Sequence, residues 1–291
     1  MGPGPVERPG RTGEFDRALS WGTVTDLPPG PAELVAAVPG LARYLRPATL
    51  LHPYAAQPAP GASGIGGPAR WPGGEPWSHC TARHPEEDDR IPHPDPELRA
   101  VPTALVPLAR IRAEDAPHLP WPEGTDLLQV LWCPNDHDDI QGERYYYGPA
   151  VELHWQRAAE LAPATPPPPR HSEEEYLPQP CALRPEQLLD LPDRDELPEE
   201  LARAVAEFTR RQGLEYERDR GRADGWKLGG WPSWHLTDLV PIDCGRCGER
   251  MNHLLTVESG DDPDLSVGRH GELHVFVCPV DVAHPVGLDL Q

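Results

Sequence analysis

The sequence predicts an α+β fold made of two related, mostly antiparallel β halves with a few short helices. Two observations carry that expectation. Strand-like runs, alternating or wholly apolar, recur along the chain, while helical periodicity is confined to two stretches. Gly, Trp and Cys landmarks occur twice in the same order, as an internal duplication would leave them.

Taken in order, the Gly/Pro/Arg-rich residues 1 to about 13 predict a loose end. Residues 31–46 carry a short helical pattern. Pro31 suits a first turn, and Leu34, Val35 and Val38 share a face before Pro39-Gly40 breaks it. Leu41, Tyr44 and Leu45 fit a second turn, and the Pro/Gly/Ala stretch 57–68 reads as a loop. Strands are expected over 104–111, over 126–132 between Gly124 and Pro134, and over the alternating run Ala150 to Trp155. Pro166 to Pro169 and the following Ser-Glu-Glu-Glu run predict a linker. A helix is expected from Pro198 to Gly213. Leu201, Val205 and Phe208 recur along one face, Glu199 and Glu200 lie near its positive end, and Arg210 and Arg211 near its negative end. Strands return over 252–257 and 272–277. The chain thus divides into an N-terminal loose end and helix (1–45), a first β-rich half (46–160), a Pro/Glu-rich linker (161–195) and a second half with a helix and a Cys-x-x-Cys knuckle (196–291).

The duplicated landmarks are specific. Gly66-Gly67, Trp71 and Cys80 in the first half answer to Gly229-Gly230, Trp234 and Cys244 in the second. Each half then has an apolar run, followed by a strand ending in Cys-Pro-x-Asp. The two endings are Cys133-Pro134-Asn135-Asp136 and Cys278-Pro279-Val280-Asp281, and His137 and His284 follow them.

Composition excludes several functions. The 291 residues hold 26 Lys+Arg against 47 Asp+Glu, a net charge of −21, which opposes binding to nucleic acid or to an anionic membrane. The one lysine, Lys227, lacks the flanking Gly and Ser/Thr of a phosphate-binding loop. No apolar run approaches the ~20 residues of a membrane span. The start of the sequence shows no signal-peptide or myristoylation pattern, so a cytoplasmic protein is expected.

The cysteines carry the most specific chemistry. Cys244-Gly245-Arg246-Cys247-Gly248 places two thiols on one side of a tight turn, and Cys278 and His284 would complete a tetrahedral Cys₃His set for structural zinc. By the repeat, Cys80, His84, Cys133 and His137 form a second candidate set. A redox dithiol and inert buried thiols are the competing readings of the first set. The acidic turn Asp136-His137-Asp138-Asp139 competes with the second, as a solvated segment or as the centre of a metal-dependent hydrolase. No nucleophile elbow, dinucleotide fingerprint, H-E-x-x-H or EF-hand spacing occurs. Trp71, Trp77, Trp231 and Trp234 fit either a core between sheets or an aromatic peptide-binding surface.

Several of these residues resemble the YwqG-like family of bacterial proteins. They are Trp226-Lys227-Leu228-Gly229-Gly230-Trp231-Pro232, Cys244-x₂-Cys247-Gly248-x₂-Met251, Phe276-Val277-Cys278, Gly66-Gly67-Pro68 with Trp71-Pro72, and Leu105 to Ile111. The resemblance covers roughly residues 45–291. It implies an α+β fold of two related, largely antiparallel halves and a distant similarity to the programmed-cell-death-protein-2 group, whose members bind a client protein. It supplies no catalytic residues. With the acidic charge, the expectation is a non-enzymatic protein-binding module, chaperone-like or of immunity/inhibitor type, whose partner is a protein with a basic surface.

Overall fold

The computed structural model describes residues 29–82, 84, 102–138, 140, 146–216, 223–234 and 236–291. The expected N-terminal loose end and Asp139 lie outside them. Helix α1 (Pro29–Ala37) stops at Pro39-Gly40, and a 3-10 helix, Pro39–Tyr44, follows. Then come β1 (Arg46–Leu50), β2 (Tyr54–Ala55), β3 (Gly64–Ile65), β4 (Ala69–Pro72), β5 (His79–Cys80), β6 (Thr103–Ala104), β7 (Val106–Arg112), β8 (Leu127–His137) and β9 (Gly148–Gln156). The remaining strands are β10 (Leu161–Ala164), β11 (Cys181–Ala182), β12 (Glu186–Asp190), β13 (Lys227–Gly229), β14 (Asn252–Glu258), β15 (Glu272–Val277) and β16 (Gly287–Leu290), with helix α2 (Glu199–Gln212) between β12 and β13. The α+β expectation holds: the sheets are antiparallel and the helices few and short.

Two six-stranded sheets dominate. The first has the order β2-β11-β3-β7-β8-β9 and the second β12-β1-β13-β14-β15-β16. The segment read from sequence as a linker therefore supplies β10, which pairs with β4, as well as β11 and β12. β1, near the start of the first half, lies in the second sheet between β12 and β13. Proline does not preclude these pairings, because a ladder spends only every second N–H of a strand on a given neighbour.

Strand alternation sets the layers. Leu128, Val130 and Trp132 of β8 and Leu273, Val275 and Val277 of β15 point into one shared core, with Ile65, Leu108, Trp226, Leu228 and Leu255. Burying each such side chain contributes about 1.5–3 kcal/mol. Their neighbours face outward, under smaller clusters. Leu131 and Cys133 pack with Trp71, Cys80 and Leu105. Phe276 and Cys278 pack with Ile242, Cys244 and Met251. Trp132 and Trp226 are thus buried between the sheets, with Trp121 and Trp155 packed against the same core, while Trp71, Trp77 and Trp234 cover outer faces. A third cluster joins Leu34, Val35, Val38 and Leu41 to Leu191, Leu197 and Val205 under α2. That helix ends at Gly213, whose φ of 68° is left-handed.

Each of the two sheets has a glycine pair in left-handed conformation at the end of a short strand: Gly66-Gly67 follows β3, and Gly229-Gly230 closes β13. Gly66 and Gly67 have φ 57° and 74°, and Gly229 and Gly230 have φ 67° and 68°. Side chains are barred at both places. A Cβ on Gly66 would sit 2.8 Å from the Pro178 carbonyl oxygen, and one on Gly230 would sit 2.4 Å from Asp190 Oδ2.

Candidate metal centres

The first centre is built on β8. Cys133 and His137 are four residues apart, a separation of about 13 Å along an ordinary strand, too far to share an ion. The β8–β9 ladder resolves this. Trp132 pairs with Val151 and Asp136 with Pro149, so four steps along β8 face two along β9 and the strand folds on itself. Cys80 arrives from β5, held to β6, and His84 follows four residues later. All four side chains are buried and their donor atoms lie within 4.8 Å of one another.

Cys80 Sγ is 3.2 Å from His137 Nε2, and Cys133 Sγ is 3.3 Å from His84 Nε2. A tetrahedral zinc with Zn–S near 2.3 Å and Zn–N near 2.0 Å sets S···N at roughly 3.5 Å. The residues present therefore fit such an ion. His137 Nδ1 lies 3.2 Å from the Gly148 carbonyl oxygen, which fixes the proton there and leaves the Nε2 lone pair toward the cluster. Asn135 Nδ2 donates to Cys133 Sγ at 3.6 Å. The Cys133 thiol, then His137 and His84, favour ionisation of Cys80 against its burial. Cys133 in turn is held well above the usual thiol range by Cys80 and by burial. Two adjacent thiolates are uncomfortable without a cation between them, and a divalent ion removes that penalty.

The second centre is a hairpin. Cys244 N donates to the Glu249 carbonyl and Gly248 N to the Cys244 carbonyl, each at 2.8 Å, while Met251 N bonds Ile242 O at 2.9 Å. The Arg250–Asp243 ion pair at 2.7 Å closes the hairpin's base on the exposed side. Cys278 follows β15, and His284 follows a turn in which its N–H donates to Asp281 O at 3.0 Å. The donors again lie within 4.8 Å of one another. Cys247 Sγ is 3.4 Å from Cys278 Sγ, and Cys244 Sγ is 3.5 Å from His284 Nδ1. His284 Nε2 stands 3.9 Å from Asp281 Oδ2, a carboxylate placed to orient the ring. Burial works against the Cys244 thiolate, but the amides of Arg246 and Cys247, with His284 and Cys247, outweigh it and pull its pKa down to about 6. Cys247 is raised. The Glu249 amide favours its thiolate, but desolvation and the sulfurs of Cys278 and Cys244 prevail. Cys247 is the one exposed cysteine among the eight donors.

Both predicted sets of four are thus brought together, and both can hold a metal ion. The acidic turn does not converge. His137 faces Cys80, Asp136 accepts a hydrogen bond from Tyr176 Oη at 2.5 Å, Asp138 is exposed, and Asp139 lies outside the described residues.

A buried polar layer escaped the sequence reading. Lys227 Nζ donates to Asp190 Oδ2 at 2.9 Å, and the same oxygen accepts from Trp231 N. On the outer face of β14 and β15, Ser233 Oγ contacts Glu272 Oε2 and lies 3.0 Å from His274 Nε2, and His253 is held by Gly229 O and Thr256 Oγ1. Burial lowers the pKa of both histidines. The alternation Glu272-Leu273-His274-Val275 was the available signal, but it reads equally as a solvent-facing side until the Trp231–Trp234 segment is seen to cover it.

The fold and site define an antiparallel α+β protein with two Cys/His clusters able to hold metal. No protein-family model matches the sequence, and no curated protein matches it significantly. No helix among the described residues is long and apolar enough to cross a membrane.

Proposed function

We propose that this protein is a non-enzymatic protein-binding module of the YwqG-like kind, cytoplasmic, in which two structural zinc ions pin the outer faces of a duplicated β framework. The observation that carries the reading is the donor count. Each cluster supplies four protein ligands, a full tetrahedral shell for zinc that leaves no position for a substrate or an activated water. The scaffold is then rigid at two points, and the net charge of −21 steers partners with a basic face toward it. Such a role suits a chaperone-like or an immunity/inhibitor-type binder.

The duplication is supported by the sheet orders. If β1, β2, β3, β7, β8 and β9 correspond in turn to β11, β12, β13, β14, β15 and β16, both sheets have the same order with the first strand of each half exchanged: β1 lies in the second sheet and β11 in the first. The left-handed glycine pairs, and Cys133 within β8 and Cys278 just after β15, fall at matching positions under this correspondence.

Elemental mass spectrometry on untagged protein, followed by affinity capture at low and moderate salt, tests the proposal. Two zincs per chain and a stoichiometric partner whose retention falls with salt are expected. Metal-free protein, or absence of a partner in both buffers, counts against it.

A further inference from the structure

We infer that Cys247, a thiolate when it ligates zinc, is the exposed sulfur at which a hydroperoxide oxidises the second centre and expels its metal. The inference rests on the zinc reading above. Of the eight donors, the Cys80, Cys133, Cys244 and Cys278 side chains are buried, and Cys247 is exposed at the tip of the hairpin. The approach is open: a Cβ on Gly245 or Gly248 would meet nothing within 4 Å. Its sulfur lies 3.4 Å from that of Cys278, which makes Cys278 the thiolate at hand to resolve an oxidised Cys247.

The chemistry balances without a further reductant. The Cys247 thiolate attacks one peroxide oxygen and the O–O bond breaks. This leaves a sulfenic acid on Cys247 and an alkoxide, or hydroxide from hydrogen peroxide, that takes a proton from water. The Cys278 thiolate then attacks the sulfenic sulfur, the S–S bond forms and hydroxide leaves. Two thiolates have lost two electrons and the peroxide has gained them. Only Cys244 and His284 remain as donors, half the shell that zinc requires, so the ion departs. The first centre, wholly buried, offers the oxidant no comparable sulfur.

The test uses the full chain with its zinc content measured beforehand. Hydrogen peroxide is added with a chromogenic zinc indicator, and the products are mapped by peptide mass spectrometry. One zinc per chain leaves first, at least about tenfold faster than the other, with a Cys247–Cys278 disulfide. The variant Cys247→His keeps four donors but removes the exposed sulfur, and slows the first release by about tenfold or more. The wild-type order of release carries the test even if that variant loads poorly. Two zincs that resist peroxide, that leave together, or that leave with a disulfide elsewhere overturn the inference and spare the metal reading. A chain without zinc at the outset overturns the metal reading itself and this inference with it.

Discussion

The two Cys/His clusters have nearly the same donors but opposite mechanical settings. The first is sealed between β5 and the folded end of β8, the strand that also supplies Leu128, Val130 and Trp132 to the shared core. The second sits on a hairpin whose tip is exposed, tied to the sheet through Ile242, Met251 and Phe276. Beside it the outer face is polar, with His253, Glu272 and His274 buried under the Trp231–Trp234 segment, where the first sheet presents Leu131, packed under Trp71 of β4. Similar ligands can therefore serve one site as part of the core and the other as a clip on its rim. The difference decides what each residue's loss should cost.

The largest effect is expected at the sealed site. Cys133→Ser breaks a buried shell at the folded end of β8 and strands three donors away from water. A loss of about 4–5 kcal/mol in urea unfolding is expected, with one zinc lost per chain. Cys247→Ser should cost less than half of that, since the stranded groups lie at the surface. Equal costs for the two variants would break the comparison.

Next comes the buried ion pair of the second sheet. Lys227 and Asp190 are both essentially inaccessible, and Asp190 also accepts from Trp231 N and Ala223 N. Lys227→Met leaves that carboxylate without its cation, and unfolding should show a loss of about 3–5 kcal/mol. In the first sheet a buried polar residue of β8 away from the cluster is Gln129, a neutral amide bonded to Arg70 O and Gln156 Oε1, so Gln129→Leu should cost only about 1–2 kcal/mol. A Lys227→Met protein as stable as wild type would mean that the polar layer is dispensable.

How much of this was legible in the sequence follows the same divide. The strands of the shared core were readable because alternation reports a buried face directly, and the ligand sets because Cys-x-x-Cys and Cys-x₃-His spacings reflect the reach of a turn. The placement of β1 in the second sheet and of β11 in the first was not. Arg46-Pro47-Ala48-Thr49-Leu50 has no alternation, and β11 is two residues long; both are strands because their neighbours have free edges to fill. The polar layer was hidden for a different reason. Nothing local distinguishes His274 facing water from His274 facing Ser233, and only the covering segment decides.

The pH response sharpens the contrast, because the titrating residues of the polar layer lie in the second region. His253 and His274 have folded pKa values below the ordinary 6.5, chiefly through burial. The unfolded chain takes up protons near pH 6.5 that the folded chain refuses. Stability is therefore fully present above that pH and falls below it, by up to about 1.4 kcal/mol per pH unit for each histidine. His253 is neutral in its geometry as well: Nδ1–H donates to Gly229 O, and Nε2 accepts from Thr256. His253→Asn preserves the first of these bonds and should flatten the acid limb in unfolding curves between pH 5 and 7. An unchanged slope would shift the acid sensitivity onto His274 alone.

The smallest effect has the opposite sign. Burial raises Glu196 to about 7, although Trp234 Nε1 donates to it at 2.8 Å and Arg46 lies nearby. A carboxyl whose folded pKa exceeds its unfolded value binds its proton more tightly when folded. Its contribution is present below about pH 4.5 and is lost as pH rises through 7. Because Glu196 is partly exposed, solvent screens much of this. Glu196→Gln keeps an oxygen for Trp234 and removes the charge. It should change nothing at pH 5 and add less than about 1 kcal/mol at pH 8. With His253→Asn, it separates the two limbs of the second region's pH profile. The histidines set the acid side and Glu196 contributes to the alkaline side, with Glu258 and Asp289, which burial also raises, so a double variant should show both limbs reduced independently.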